Sequence, residues 1–278
     1  MEYALFYAEG NDALPYDPAD DNVGEWVDEL VARGVSEYGE RLRPEQDATT
    51  VRVRAGEVLV VDGPFTESKE SIGGFDVIEA RDLDEAIEIA SKHPVASFGR
   101  VEIRPFVQWP GAEPGARIVP AGFPERPSKG RRYLMLVVAE PTGERPDADG
   151  GSADEDDPEA WVREMDGRGV RLFGEVLRRP SDATFVRRRH GEVLVTDGGF
   201  AEAKEWVAGF DLIEVRDLAE AIEVAAKHPM ARGGAIELRP LWPFDVHEDH
   251  VARVEREAAD RDRRLEPAAS EALAGAAL

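Results

Sequence analysis

The chain contains no cysteine. Disulfides, thiolate-ligated zinc, iron–sulfur clusters and thiol catalysis are therefore excluded. No apolar run approaches the roughly 18 residues of a membrane-spanning helix. The opening residues MEYALFYAEGNDALP lack a basic stretch and carry only a short apolar run, so they do not read as a secretory signal. Positive charge is scarce: 34 basic against 58 acidic side chains leave a net charge of −24. The basic face that releases counterions from nucleic-acid phosphates is missing, and so is a polybasic segment for an anionic membrane. Neither GxGxxG, GxxxxGK[ST], HExxH nor GxSxG occurs, so no nucleotide, metal or other cofactor is expected. These absences predict a soluble cytoplasmic protein that touches neither nucleic acid nor membrane.

What is present is a long internal repeat. GEVLVVDGPF begins at Gly56 and GEVLVTDGGF at Gly191, 135 positions apart. At that spacing 51–105 and 186–240 align without a gap, with 35 of 55 positions identical. Upstream, Trp26 matches Trp161 and Gly34 matches Gly169, while Tyr3 and Tyr133 match at a spacing of 130. A long period with only two copies means a duplicated domain and not a solenoid. The predicted organisation is a first repeat over 1–108, a Pro/Gly-rich linker over 109–130, a second repeat over 131–244 and a charged, partly helical tail over 245–278. Residues 110–130 hold five prolines and four glycines and read as an extended linker. The acidic run 141–157 reads as a loop of the second copy.

Within each repeat the patterning predicts β-α-β-β-β-α-β. Tyr3–Tyr7 is a short strand, and the apolar spacing of Trp26, Val27, Leu30, Val31 and Val35 predicts a helix over 25–40. Thr49–Arg54 and Glu57–Val61 flank Ala55-Gly56 as a hairpin. Gly74–Ala80 is a strand. Asp82 caps a helix that runs to Lys92, with Glu85 three residues on and Pro94 beyond its end. Val101–Phe106 is the last strand. The fold class is α+β: two ferredoxin-like repeats whose antiparallel sheets cover one another's apolar faces as an intramolecular pseudo-dimer.

The stretch GEVLVVDGPFTESKESIGGFDVIEARDLDEAIEIASKHP resembles the YCII-related family in its DGPF subgroup. The matching residues are Asp62, Gly63, Pro64, Phe65, Glu67, Lys69, Glu70, Gly73, Gly74, Phe75 and Glu79, then Asp84, Glu85, Ala86, His93 and Pro94. The second copy departs at Gly199, Ala208 and Ala219, where the first has Pro64, Gly73 and Asp84. The resemblance implies a dimeric α+β barrel, here with the dimer internal to a monomer. It also implies an accessory or regulatory role, because DGPF members are often encoded beside extracytoplasmic-function sigma factors, which makes a sigma factor the expected protein partner and a small molecule the expected ligand. Some YCII-type relatives are lyases or dehydrochlorinases with a His–Asp pair whose His lies in the first helix. Residues 25–41 and 159–165 contain no His, so that precedent does not carry over at that position.

Candidate chemistry gathers at equivalent places in both copies. His93 and His228 precede a proline at the end of the second helix; each reads either as a general acid/base or as a cationic cap on the helix C-terminus. Asp62 and Asp197 read either as orienting carboxylates beside those histidines or as turn residues accepting backbone N–H groups. Lys69 and Lys204 are two of only five lysines. With Glu67, Glu70, Glu202 and Glu205 they read as an anion-binding loop or as ion pairs that pin it. Phe65 and Phe200 read as ligand contacts or inter-sheet core, and Phe75 and Phe210 as core. His247 and His250 make a weak metal pair. The favoured reading is a non-catalytic, ligand-binding or regulatory accessory protein. The alternative is a cofactor-free lyase or hydrolase using His93 with Asp62, or their copies, between the repeats.

Overall fold

The computed structural model describes residues 1–10, 13–16, 21–65, 70–111, 117–123, 130–140, 157–198 and 205–242. The acidic loop over 141–156 and the tail with His247 and His250 lie outside the described residues. The first repeat comprises β1 (Glu2–Gly10), α1 (Val23–Arg33), β2 (Ser36–Arg41), β3 (Thr49–Arg54), β4 (Glu57–Asp62), β5 (Glu70–Glu79), α2 (Leu83–Lys92), a single turn α3 (Val95–Phe98) and β6 (Arg100–Pro105). The second comprises β7 (Arg131–Ala139), α4 (Pro158–Gly167), β8 (Arg171–Val176), β9 (Thr184–Arg189), β10 (Glu192–Asp197), β11 (Trp206–Val215), α5 (Leu218–Lys227), α6 (Met230–Gly233) and β12 (Gly234–Pro240).

The helix expected over 25–40 is two elements. Gly34 sits at φ +67 and its N–H bonds to the Val31 carbonyl, the left-handed stop that ends a helix without strain only at glycine. The chain then turns back as β2 along β5, pairing Gly39 with Asp76 and Glu40 with Phe75. Val35 extended the helical spacing by one residue past its stop and hid the strand. α2 begins as expected: the Asp82 carboxylate accepts the Glu85 N–H at 2.9 Å.

Two six-stranded sheets result, in the orders β10-β9-β6-β1-β5-β2 and β4-β3-β12-β7-β11-β8. The four strands β6-β1-β5-β2 follow the ferredoxin-like order within one repeat. The hairpins do not stay with their own repeat. β3 of the first copy pairs with β12 of the second, Val51 opposite Ile236. In return β9 of the second copy pairs with β6 of the first, Val186 opposite Val101. Each sheet is thus completed by two strands from the other copy.

Three apolar layers follow. Helices α1 and α2 cover the outer face of the first sheet through Trp26, Leu30, Ala86 and Ile89. Helices α4 and α5 cover the second through Trp161, Met165, Ala221 and Val224. Between the inner faces lies an aromatic layer centred on Phe210, whose ring stands 5.7 Å from Phe75, 5.9 Å from Phe106, 6.3 Å from Phe6 and 6.4 Å from Phe173. Such pairs contribute about 0.5–1.5 kcal/mol each beyond area burial. Val119, within the segment expected to be an extended linker, is buried in this layer with Ile118 and Phe123 packed against it. The hairpin strands β4 and β10, which form one end of each sheet, are exposed along their whole length, Val58–Val61 and Val193–Val195 included.

Because each sheet contains strands of both copies, the repeats should unfold together. Trp26 reports on the first helical layer and Trp161 on the second. Urea denaturation of the unaltered chain, followed in parallel by tryptophan fluorescence and by far-ultraviolet circular dichroism, is expected to show one transition with coincident midpoints. Two separated transitions would mean that the repeats are energetically independent.

Candidate functional site

The DGPF turn is an interface element. Gly63 adopts φ +105, and its N–H and carbonyl bond to Ala48 O and Thr50 Oγ1, both at 2.8 Å. The Phe65 N–H donates to Glu237 Oε2 on β12 at 2.8 Å, and the Phe65 carbonyl accepts from Arg52 at 3.2 Å. Arg52 also pairs with Glu205 of the second copy at 2.6 Å. Glu237 and Arg239 are buried between the sheets, joined at 3.3 Å. Arg239 further donates to the carbonyls of Arg43 and Ile72. Burial raises the Glu237 carboxyl, and Arg239 and the Phe65 N–H pull it back. The first copy repeats the arrangement on β6, where Arg104 bonds Glu102 at 3.1 Å and the Arg178 and Val207 carbonyls. Asp62 and Asp197 end the exposed strands β4 and β10. Phe65 is half-buried. Glu67, Lys69, Phe200, Glu202 and Lys204 lie outside the described residues.

His93 and His228 sit on the outer, helix-covered faces. His93 stacks on Tyr7 at 3.9 Å and meets the Trp26 edge at 4.7 Å. Trp26 Nε1 donates to Ile89 O at 3.0 Å, an otherwise orphaned carbonyl in the last turn of α2. The His93 Nδ1 accepts the Val95 N–H at 3.2 Å, opening α3. Burial lowers the ring to about 3. The imidazole is therefore a neutral acceptor that caps the following turn, and the cationic C-terminal cap of the sequence reading does not form. His228 repeats this with Trp161 at 4.7 Å and the Met230 N–H at 3.1 Å. Burial, then the Arg171 charge, lowers it to about 3 as well. The structure brings His93 to Tyr7 and Trp26, and places Asp62 on the opposite sheet.

Tyr7 leads to a place where the two copies differ chemically. Its hydroxyl donates to Asp76 Oδ2 at 2.7 Å. Asp76 lies on the helix-side face of β5, and its carboxylate covers Gly39, where a Cβ would meet Oδ1 at 1.8 Å. Burial pushes the Asp76 carboxyl up to about 7, offset by the Tyr7 bond and reinforced by Glu40. In the second copy the register-equivalent carboxylate is Asp211, opposite Gly174. Val137 replaces Tyr7 opposite the glycine of β11. Arg171 takes over: its Nε donates to Asp211 Oδ1 at 2.6 Å and an Nη to Gly174 O at 2.6 Å. Asp211 rises only to about 6 because Arg171 counters its burial. Sequence reading missed this pair. The available signal was a charged residue inside an apolar strand, GFDVIE and GFDLIE, in both copies. Among the described residues no cluster of three or more His, Asp or Glu side chains is placed to hold a metal.

Two ferredoxin-like units, each completed by the other's hairpin, define a tandem α+β barrel in one chain. The YCII-related domain model matches it twice, over 1–110 and 132–245. The chain belongs to the YCII-related family. An uncharacterized protein of Rhizobium meliloti is 44% identical over 77 residues, 27% of this chain, and the match spans 62% of that relative's length. The crystal structure of a candidate chlorite dismutase aligns over 88% of this chain and 95% of its own, at TM-score 0.35 and 13% identity. That likeness is too distant to bear on chemistry.

Two outcomes follow. The unfolded imidazole titrates near 6.5 and the folded one near 3, so the stability each histidine site contributes is full above 6.5 and is lost as pH falls toward 3. Asp76 acts oppositely, its contribution being lost as pH rises from 3.8 through about 7. The His93 and His228 ring protons should hold constant NMR shifts from about pH 5 to 8; a titration in that window would contradict the buried neutral assignment. Separately, Glu237→Ala leaves Arg239 buried without its carboxylate and should cost about 3–5 kcal/mol in chemical denaturation. A loss under about 1 kcal/mol would show that the pair does not clamp the loop.

Proposed function

We propose that this chain is a DGPF-type accessory protein that binds a small ligand without turning it over. It works in the cytoplasm as a monomer, within an extracytoplasmic-function sigma factor system. The observation that supports this reading is the seam between the sheets, where a lyase or hydrolase site between the repeats would lie. It is filled by Phe6, Phe75, Phe106, Phe173 and Phe210. His93 and His228 are turned away from it, each held as a neutral acceptor. The acidic charge spreads over both copies, −13 over 1–130 and −11 over the remainder, which fits a solvated surface better than one dedicated docking patch for a sigma factor partner.

A lyase or hydrolase remains the second reading, favoured by one observation. A carboxyl held at about 7, as at Asp76, exchanges its proton at neutral pH. Such an enzyme would run through Asp76 and Tyr7 of the first copy.

A thermal-shift panel of small polar compounds, followed by NMR of each stabilising compound in the presence of the protein, separates the two. Binding with the compound intact after a day is expected. Consumption that Asp76→Asn abolishes would overturn the accessory reading in favour of an enzyme.

A further inference from the structure

The two copies supply an internal comparison at the Asp76 and Asp211 positions. Both carboxylates lie over a glycine of the neighbouring edge strand, at the same register. In the second copy a guanidinium fills the space beside the carboxylate, with Arg171 bonding both Asp211 Oδ1 and the Gly174 carbonyl. Ser36 occupies the Arg171 position in the first copy: Ser36 pairs with Ile78 as Arg171 pairs with Ile213, and both strands carry a register shift at that point. The Tyr7 hydroxyl engages the other oxygen, Oδ2. Oδ1 of Asp76, the counterpart of the oxygen that holds Arg171, has no hydrogen-bond partner among the described residues. Asp76 is also partly open to solvent, whereas Asp211 is buried beneath its arginine.

We propose that the first copy binds a guanidinium group in the space that Arg171 fills in the second, through the Asp76 carboxylate and the Gly39 carbonyl. The group belongs to a free small molecule or to an arginine side chain. The planar fork of a guanidinium donates to a carboxylate and a nearby carbonyl together, which a compact ammonium matches poorly. Tyr7 fixes the carboxylate by holding Oδ2. This proposal rests on the ligand-binding reading above and supplies its ligand class.

Calorimetric titration of the full chain tests it with three probes: agmatine, the amidated tripeptide Gly-Arg-Gly and methylammonium as control. Agmatine or the tripeptide is expected to bind once per chain, with methylammonium at least about tenfold weaker, a difference near 1.4 kcal/mol. Preference for agmatine assigns a free small molecule, and preference for the tripeptide assigns an arginine side chain. Asp76→Asn should weaken binding at least about tenfold. Ser36→Arg, which installs the second copy's own occupant, should abolish it while the circular dichroism stays native. Affinity should fall as pH drops through about 7, because a neutral carboxyl no longer attracts a cation. The other titratable groups near that carboxyl are Tyr7 and Glu40, with His93 stacked behind Tyr7. Equal binding by Ser36→Arg and the unaltered chain, or no binding of either guanidinium probe, would overturn the proposal. If guanidinium probes fail while another compound of the panel binds in an Asp76-dependent way, only the ligand class falls and the binding reading stands.

Discussion

The exchange of hairpins between the two copies is the constraint on which the rest of the molecule depends. Each four-stranded ferredoxin-like sheet ends in a terminal strand, β6 or β12, that would be an open edge if the copy stood alone. An unpaired edge exposes a row of N–H and C=O groups and invites association. Here β3 covers β12 and β9 covers β6, so each copy closes the other's edge. The exchange carries the DGPF turn across to the second copy, which is why Glu237 and not a residue of its own repeat receives the Phe65 N–H. It also draws Arg52 to Glu205. The aromatic seam around Phe210 is the apolar counterpart of this exchange, since both inner faces must be covered at once. At these ends of the sheets the outer hairpin strands, β4 and β10, inherit the edge and remain exposed.

Buried charge in this fold is spent on holding the copies together. A buried Glu–Arg pair is weak evidence for stability as such, because desolvation offsets much of its attraction. Its value lies in what else it bonds. Arg239 reaches the Arg43 and Ile72 carbonyls of the first copy, and Arg104 reaches the Arg178 and Val207 carbonyls of the second. Each arginine thus satisfies backbone groups of the opposite copy, at points where the chain leaves the ladder. Of the motif residues that looked most like chemistry in the sequence, Phe65 serves this docking, through its N–H and its carbonyl.

Much of the architecture was legible because duplication shows itself at a fixed spacing and because hairpin chemistry is local. Gly56 and Gly191, both at positive φ, mark the hairpins that the sequence pattern predicts. β2 was not legible, since Val35 continued the helical spacing beyond Gly34. The exchange was not legible either. The same alternation of Val51 and Val53 serves equally well against β6 or against β12, and no residue of a hairpin states which terminal strand it will pair with. At the candidate site the reading of His93 was half right in kind: the ring is a cap, but of the turn that follows it. The charge it was expected to carry is removed by burial against Tyr7 and Trp26, a tertiary fact that a helix-end position does not contain. Asp76 went unread because a single acid in a strand is ordinarily solvent-facing, whereas β5 is covered on that side by α1 and α2.

A homodimer built from one such repeat would carry two identical carboxylate sites. Fusion into one chain removes that requirement, and the two sites have diverged as a coupled pair of changes. Tyr7 stands against Val137, and Ser36 against Arg171, so each carboxylate keeps one strong donor but on a different oxygen. Neither buried acid is abandoned, which physical chemistry would not tolerate. The second copy neutralises its acid from within and closes over it. The first leaves its acid with a neutral donor on Oδ2 and no partner on Oδ1 among the described residues, at a carboxyl poised near 7. Symmetric packing with asymmetric charge is what separates a copy that is only structural at this position from one that can still take an occupant.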